Sequence, residues 1–226
     1  AYSQELATSE ILAVMDHLGI AKAHVVGLSM GGFATLHLGL TAPGRALSLT
    51  IAGAGYGAEK AHESYFRGVS MEVAQQFETL GAERFAETYG SGASRVQFQA
   101  KDPRGWRAFV DRLRRHSDTG AALTMRGVQA RRPSLWDLED RIARIEVPAL
   151  VIVGDEDDHC LAPGLFLKRT LPACGLAVLP KTGHTLNLEE PELFNQLLRE
   201  FIAMVEAGRW LPRDPRARAD EIMKTA

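Results

Sequence analysis

The chain has 226 residues, 46% apolar and 24% charged, with 26 Lys and Arg against 28 Asp and Glu for a net charge of −2. A chain this long buries roughly 70% of its surface on folding, enough for a core without metal or disulfide staples. The composition excludes disorder as the main state, and no run approaches the roughly 18 apolar residues of a membrane span, so no membrane partner is expected. A near-neutral charge provides no field for nucleic acid. The two cysteines, Cys160 and Cys174, show no CxxC spacing and point to a reducing compartment, and no basic-then-apolar leader opens the chain, so the expected location is the cytoplasm.

Apolar residues at three- and four-residue steps from Glu5 to Leu18, stopped by Gly19, predict an amphipathic helix. AHVVGL at 23–28 reads as a strand, and helical spacing resumes from Gly31 to Leu40 before Pro43. LSLTIA at 47–52, ALVIV at 149–153 and LAVL at 176–179 are further near-continuous apolar runs, as expected of strands buried on both faces. Helical patterns separate them, so the predicted class is α/β with a parallel sheet. Residues 1–54 and 140–206 form the expected core, 55–139 an inserted helical cap, and 207–226 a loosely packed extension anchored by Trp210 and Leu211. Between Lys101 and Arg132 nine Lys or Arg face three Asp, a local +6 that reads as a solvated basic face or as a cap that draws in anionic substrates.

Gly27-Leu28-Ser29-Met30-Gly31 is a G-x-S-x-G placed between a predicted strand and a predicted helix. A strand that reverses straight into a helix strains the serine backbone; Gly27 and Gly31 are expected to remove side chains that would collide there, and Gly32 to let the helix pack close. Ser29 would stand over the carboxyl end of the sheet at a helix N-terminus, with the Met30 N–H aimed at a developing oxyanion.

VVGLSMGG resembles the nucleophile elbow of the α/β-hydrolase fold, and the resemblance implies the chain order Ser, acid, His. PALVIVGDED at 148–157 is similar to that family's strand and G-x-x-D turn, which makes Asp157 the acid over its neighbours Asp155 and Asp158. KTGHTLNLEEPELFN at 181–195 is similar to the family's histidine loop, which makes His184 the base. Together they imply catalytic Ser29, His184 and Asp157, an oxyanion donor at Met30, and neither metal nor organic cofactor. His159 reads as a surface-loop residue and His37 as a core histidine with a local hydrogen bond.

The resembled family builds an eight-stranded sheet, of which only the last four strands are found. The strand at 23–28 then has an unpaired edge, and the second oxyanion donor has no source in the sequence. A chain opening on Ala1 is accordingly read as a piece of a longer hydrolase, or as one whose edge another chain covers, in a homo-oligomer or with the missing segment. The expected activity is that of a serine hydrolase acting on a small carboxylic ester or lactone through an acyl-enzyme. The alternatives are a C–C bond hydrolase or cofactor-free haloperoxidase of the same fold, or a catalytically silent binding protein.

Overall fold

The computed structural model describes residues 2–217. Helix α1 (Gln4–His17) is capped by the Ser3 side chain, which accepts from the Leu6 N–H. It leads to β1 (Ala23–Leu28), α2 (Met30–Thr41) and β2 (Ala46–Ala52). The segment expected to be a cap contains helices and no strand among the described residues: α3 (Glu63–Gly90), α4 (Val96–Lys101), α5 (Pro103–Leu113) and α6 (Asp118–Thr124), then a short π turn at Met125–Gln129. The core resumes with α7 (Glu139–Ile142), β3 (Ala149–Gly154), α8 (Asp158–Thr170), β4 (Cys174–Leu179), α9 (Leu186–Glu189) and α10 (Pro191–Glu206).

The four strands form one parallel sheet in the order β1-β2-β3-β4. β3 is buried at every position because helices cover both of its faces. Its alternate residues feed two cores: Ala149, Val151 and Val153 join Leu49, Ile51 and Leu36 on one face, while Leu150 and Ile152 join Phe194 and Phe201 of α10 on the other. The outer strand β1 is only half-buried, with Val26 42% exposed, and β2 is its only partner among the described residues.

A third core, built on Phe77, Phe85, Phe98, Trp106 and Val110, holds the cap together. Inside α3, Gly81 leaves helical geometry at φ 74° and ψ 161°, and the carboxylate of Asp118 accepts from the Ala82 N–H at 2.6 Å, restarting the helix as a cap residue would. At the tail, Trp210 packs edge-on against Phe201 and donates to the Ala173 carbonyl at 3.0 Å. Leu211 is 72% exposed and anchors nothing, contrary to the expectation; the part of the extension beyond Ala217 lies outside the described residues.

No helix among the described residues is long and apolar enough to cross a membrane.

Candidate functional site

Four loops converge at the carboxyl ends of the strands. At the end of β1, Ser29 takes φ 56° and ψ −113°, a conformation that costs on the order of 1–3 kcal/mol for a residue with a side chain. The bend is held from both sides, since the Ser29 N–H donates to the Ala52 carbonyl at 2.8 Å and its own carbonyl accepts from Phe33 N–H at 3.1 Å. Gly27 is demanded by contact, for a Cβ there would lie 2.0 Å from the Gly31 carbonyl oxygen. Gly31 departs from the expectation: a Cβ on it meets nothing within 4 Å. The steric need falls instead on Gly32, where a Cβ would sit 2.8 Å from the Ala52 carbonyl oxygen. Met30 is the first residue of α2, so its N–H is among the amides that have no acceptor within the helix.

The loops after β3 and β4 are stitched together. Glu156 N–H donates to the Thr182 carbonyl at 3.0 Å, and the Asp155 carboxylate accepts from Thr182 N–H at 3.1 Å. The two chains approach so closely that a Cβ at Gly154 would lie 2.1 Å from the Thr182 carbonyl oxygen. Asp155 thus has a structural duty, Asp158 is exposed in the first turn of α8, and Asp157 points inward at 1% exposure.

These loops bring Ser29, His184 and Asp157 into one chain of hydrogen bonds. His184 Nε2 lies 2.8 Å from Ser29 Oγ, and His184 Nδ1 lies 2.7 Å from Asp157 Oδ2. Burial opposes ionisation of Asp157, but the hydrogen bond and charge of His184, with the Cys160 thiol and Tyr56 hydroxyl close by, hold its carboxyl below the usual carboxylate range. Tyr56 is pushed up by burial first and by the Asp157 charge second, so its phenol stays protonated. The arrangement provides a hydroxyl nucleophile, an imidazole able to take its proton, and an anion to orient that imidazole.

Several contributors escaped the sequence reading. Glu189, 7% exposed, braces the histidine loop by accepting from Gly183 N–H at 2.7 Å, Thr185 N–H at 3.0 Å and Thr185 Oγ1 at 2.8 Å. The His184 N–H itself donates to Ser94 of the cap at 3.2 Å. Cys160 is fully buried with Sγ 4.0 Å from His184 Nδ1. Asp157, Cys160 and His184 offer three ligand-type atoms within 4.8 Å of one another. They suit a metal poorly, because His184 Nδ1 is committed to Asp157 and burial pushes the Cys160 thiol well above its ordinary range, which disfavours the thiolate a metal needs.

A cleft of about 430 Å³ opens in front of Ser29 and His184, under the cap. Tyr56, Tyr65, Phe66 and Tyr89 give it an aromatic lining, and Arg95 and Arg132 line it as well. His159 lies not on a surface loop, as expected, but in the first turn of α8, with its ring against Phe66 and Tyr56 at centroid distances of 4.8 and 5.2 Å. His37 is buried as expected, yet its Nε2 makes no hydrogen bond.

The model of the alpha/beta hydrolase family matches residues 2–197. The chain belongs to the alpha/beta hydrolase family. Among curated relatives, this chain is 32% identical over 200 residues to the 2-hydroxy-6-oxo-6-phenylhexa-2,4-dienoate hydrolase of Burkholderia cepacia, covering 85% of this chain and 67% of the relative. It is 26% identical over 199 residues to the 3-oxoadipate enol-lactonase 1 of Acinetobacter baylyi, covering 87% of this chain and 70% of the relative. The solved MenH of S. aureus, at 18% identity, superposes with a TM-score of 0.82 over 90% of this chain and 76% of its own, and shows the fold. These relatives extend beyond the region they share with this chain, which accords with a shortened sheet of four strands among the described residues.

Proposed function

We propose that this alpha/beta hydrolase cleaves a small carboxylic ester or lactone through an acyl-enzyme on Ser29. Support comes above all from the unbroken relay at the base of the cleft, Ser29 Oγ to His184 Nε2 at 2.8 Å and His184 Nδ1 to Asp157 Oδ2 at 2.7 Å. Ser29 Oγ attacks the substrate carbonyl while its proton passes to His184 Nε2. The carbonyl oxygen becomes an oxyanion facing the Met30 N–H at the head of α2, where the helix dipole favours negative charge. Collapse expels the alcohol, which takes the proton from His184; water then repeats the sequence and frees the acid and Ser29. Asp157 stabilises the imidazolium formed at each proton transfer and fixes the ring tautomer. None of these steps calls on a metal or an organic cofactor. The enol-lactonase relative at 26% identity agrees with a lactone substrate.

A second reading is favoured by the relative at 32% identity, whose named substrate carries a ketone and a carboxylate but no ester. The same relay would then drive cleavage of a carbon–carbon bond next to a ketone. A fluorophosphonate probe tests the first requirement of both: it should label the wild-type chain and fail to label Ser29→Ala. Labelling that survives in Ser29→Ala, or is missing from the folded wild type, refutes a serine nucleophile. Hydrolysis of p-nitrophenyl acetate against cleavage of a 6-oxo-2,4-dienoate then separates the two readings.

A further inference from the structure

The basic residues of the cap divide into two groups. Several of those on its outside are paired, Arg67 with Glu63, Arg126 with Glu78, Lys101 with Glu190, and both Arg107 and Arg114 with Glu87, while Arg84, Arg104, Arg112, Arg115 and Arg131 are exposed to solvent. They account for much of the local positive charge and form a solvated face. Arg95 and Arg132 line the cleft instead, and neither has a carboxylate partner among the described residues.

Arg132 is the more unusual of the two. It is 5% exposed, and a guanidinium so deeply desolvated without a counter-ion is costly. Its surroundings are neutral: Nη1 donates to the Tyr56 carbonyl at 2.6 Å, Nη2 donates to Gln129 Oε1, and the Phe33 ring centroid lies 3.6 Å from its central carbon. Of the five N–H donors on a guanidinium these bonds engage two, and Nε has no acceptor at all. Burial presses the side chain down to about 9, which still leaves it charged at neutral pH. Arg95 repeats the theme more loosely, stacked over Tyr89 at 4.6 Å, bonded only to Ser94 Oγ, and with an unpartnered Nε.

Two further observations give this charge a purpose. None of the residues lining the cleft is Asp or Glu, so the cavity in front of Ser29 is electropositive. Phe33 begins the helical turn after Ser29, its N–H bonded to the Ser29 carbonyl, so the guanidinium stacked on it sits about one turn from the nucleophile. A planar two-oxygen anion suits the remaining edge of the guanidinium, which offers N–H groups in a fork.

We propose that Arg132, with Arg95 in the same cleft, binds a carboxylate carried by the substrate, so that the natural substrate is an acid with an apolar or aromatic body and its scissile carbonyl at Ser29. This inference rests on the hydrolase reading of the cleft and names the substrate class for it.

Benzoate and benzamide provide a matched pair, alike in shape and differing in charge, whose binding calorimetry reads without turnover. Wild-type protein should bind benzoate at least about tenfold more tightly, the lower end of what a charge-assisted hydrogen bond supplies. Arg132→Gln should abolish most of that preference; equal affinities in the wild type, or an undiminished preference in Arg132→Gln, would overturn the proposal and leave Arg132 a strut between cap and core. Should Arg132→Gln fail to fold, Arg132→Met and Arg95→Gln replace it, and a full preference in both counts equally against the carboxylate site. Fluorophosphonate labelling of the same preparation reports the nucleophile separately: selective benzoate binding without labelling removes the hydrolase reading, and labelling without selectivity removes this one.

Discussion

His37 stands on α2 two turns beyond Ser29, 9% exposed, and burial lowers its pKa from 6.5 to about 4. Glu5 opposes that shift, while Arg141 and Arg132 add to it. The folded state therefore prefers the neutral ring, whereas the unfolded chain takes up a proton below about pH 6.5. Stability from this residue is complete above that pH and drains away as the pH falls toward 4, by on the order of 2 kcal/mol. Thermal melts at pH 7 and pH 4.5 should show a smaller loss of melting temperature for His37→Leu than for the wild type; equal losses would contradict this origin. At this scale Ser29, Asp157 and His184, which the fold brings into one chain of hydrogen bonds, could be picked out of the sequence because each sits in a short local pattern. Glu189, Cys160 and Arg132 were hidden because their roles arise from burial and from contacts between distant segments. Arg132 could only be counted in a charge run, and its isolation from acids is a property of three dimensions.

Among the elements, the bend between β1 and α2 sets the tightest constraint, and its two glycines make unequal demands. A Cβ at Gly27 would lie 2.0 Å from main-chain oxygen, which nothing flexible can relieve, whereas one at Gly31 enters open space. Gly27→Ala should therefore lose fluorophosphonate labelling and melt well below the wild type. Gly31→Ala should melt at the wild-type temperature or above it, gaining up to about 1 kcal/mol from helix propensity; equivalent behaviour of the two variants would refute the distinction. Strand positions were legible to within about two residues because runs buried on both faces leave a continuous apolar trace. The break within α3 was not, since Ala82 needs Asp118, 36 positions away, to show that a helix restarts there after Gly81.

For the molecule as a whole, β1 and β4 each lack a partner strand on their outer side among the described residues. On the face of β4 the tail lays Trp210 over Gly175, where a Cβ would stand 2.6 Å from the indole. Along β1 no described segment does the same, and Val26 is left 42% exposed on a strand whose outer amides and carbonyls have no partner strand. We propose that this edge makes the chain self-associate: light scattering should show the apparent mass rising with concentration, and Val26→Lys should hold the chain monomeric. A wild type that stays monomeric at high concentration would exclude edge pairing. The parallel order of the sheet was readable from the alternation of strands and helices, but the placement of the cap over the cleft was not, because no local pattern encodes how two separate cores face each other.

The bond from the His184 amide to the Ser94 carbonyl, with the Lys101–Glu190 pair beside it, ties the imidazole-bearing loop to the cap, a lid above it. Any swing that lifts the lid to admit a guest must stretch or break that tether, slackening the grip on the ring at the moment of entry. Admission and reactivity would then alternate, with the chemistry at full strength only once the lid has settled back over its guest.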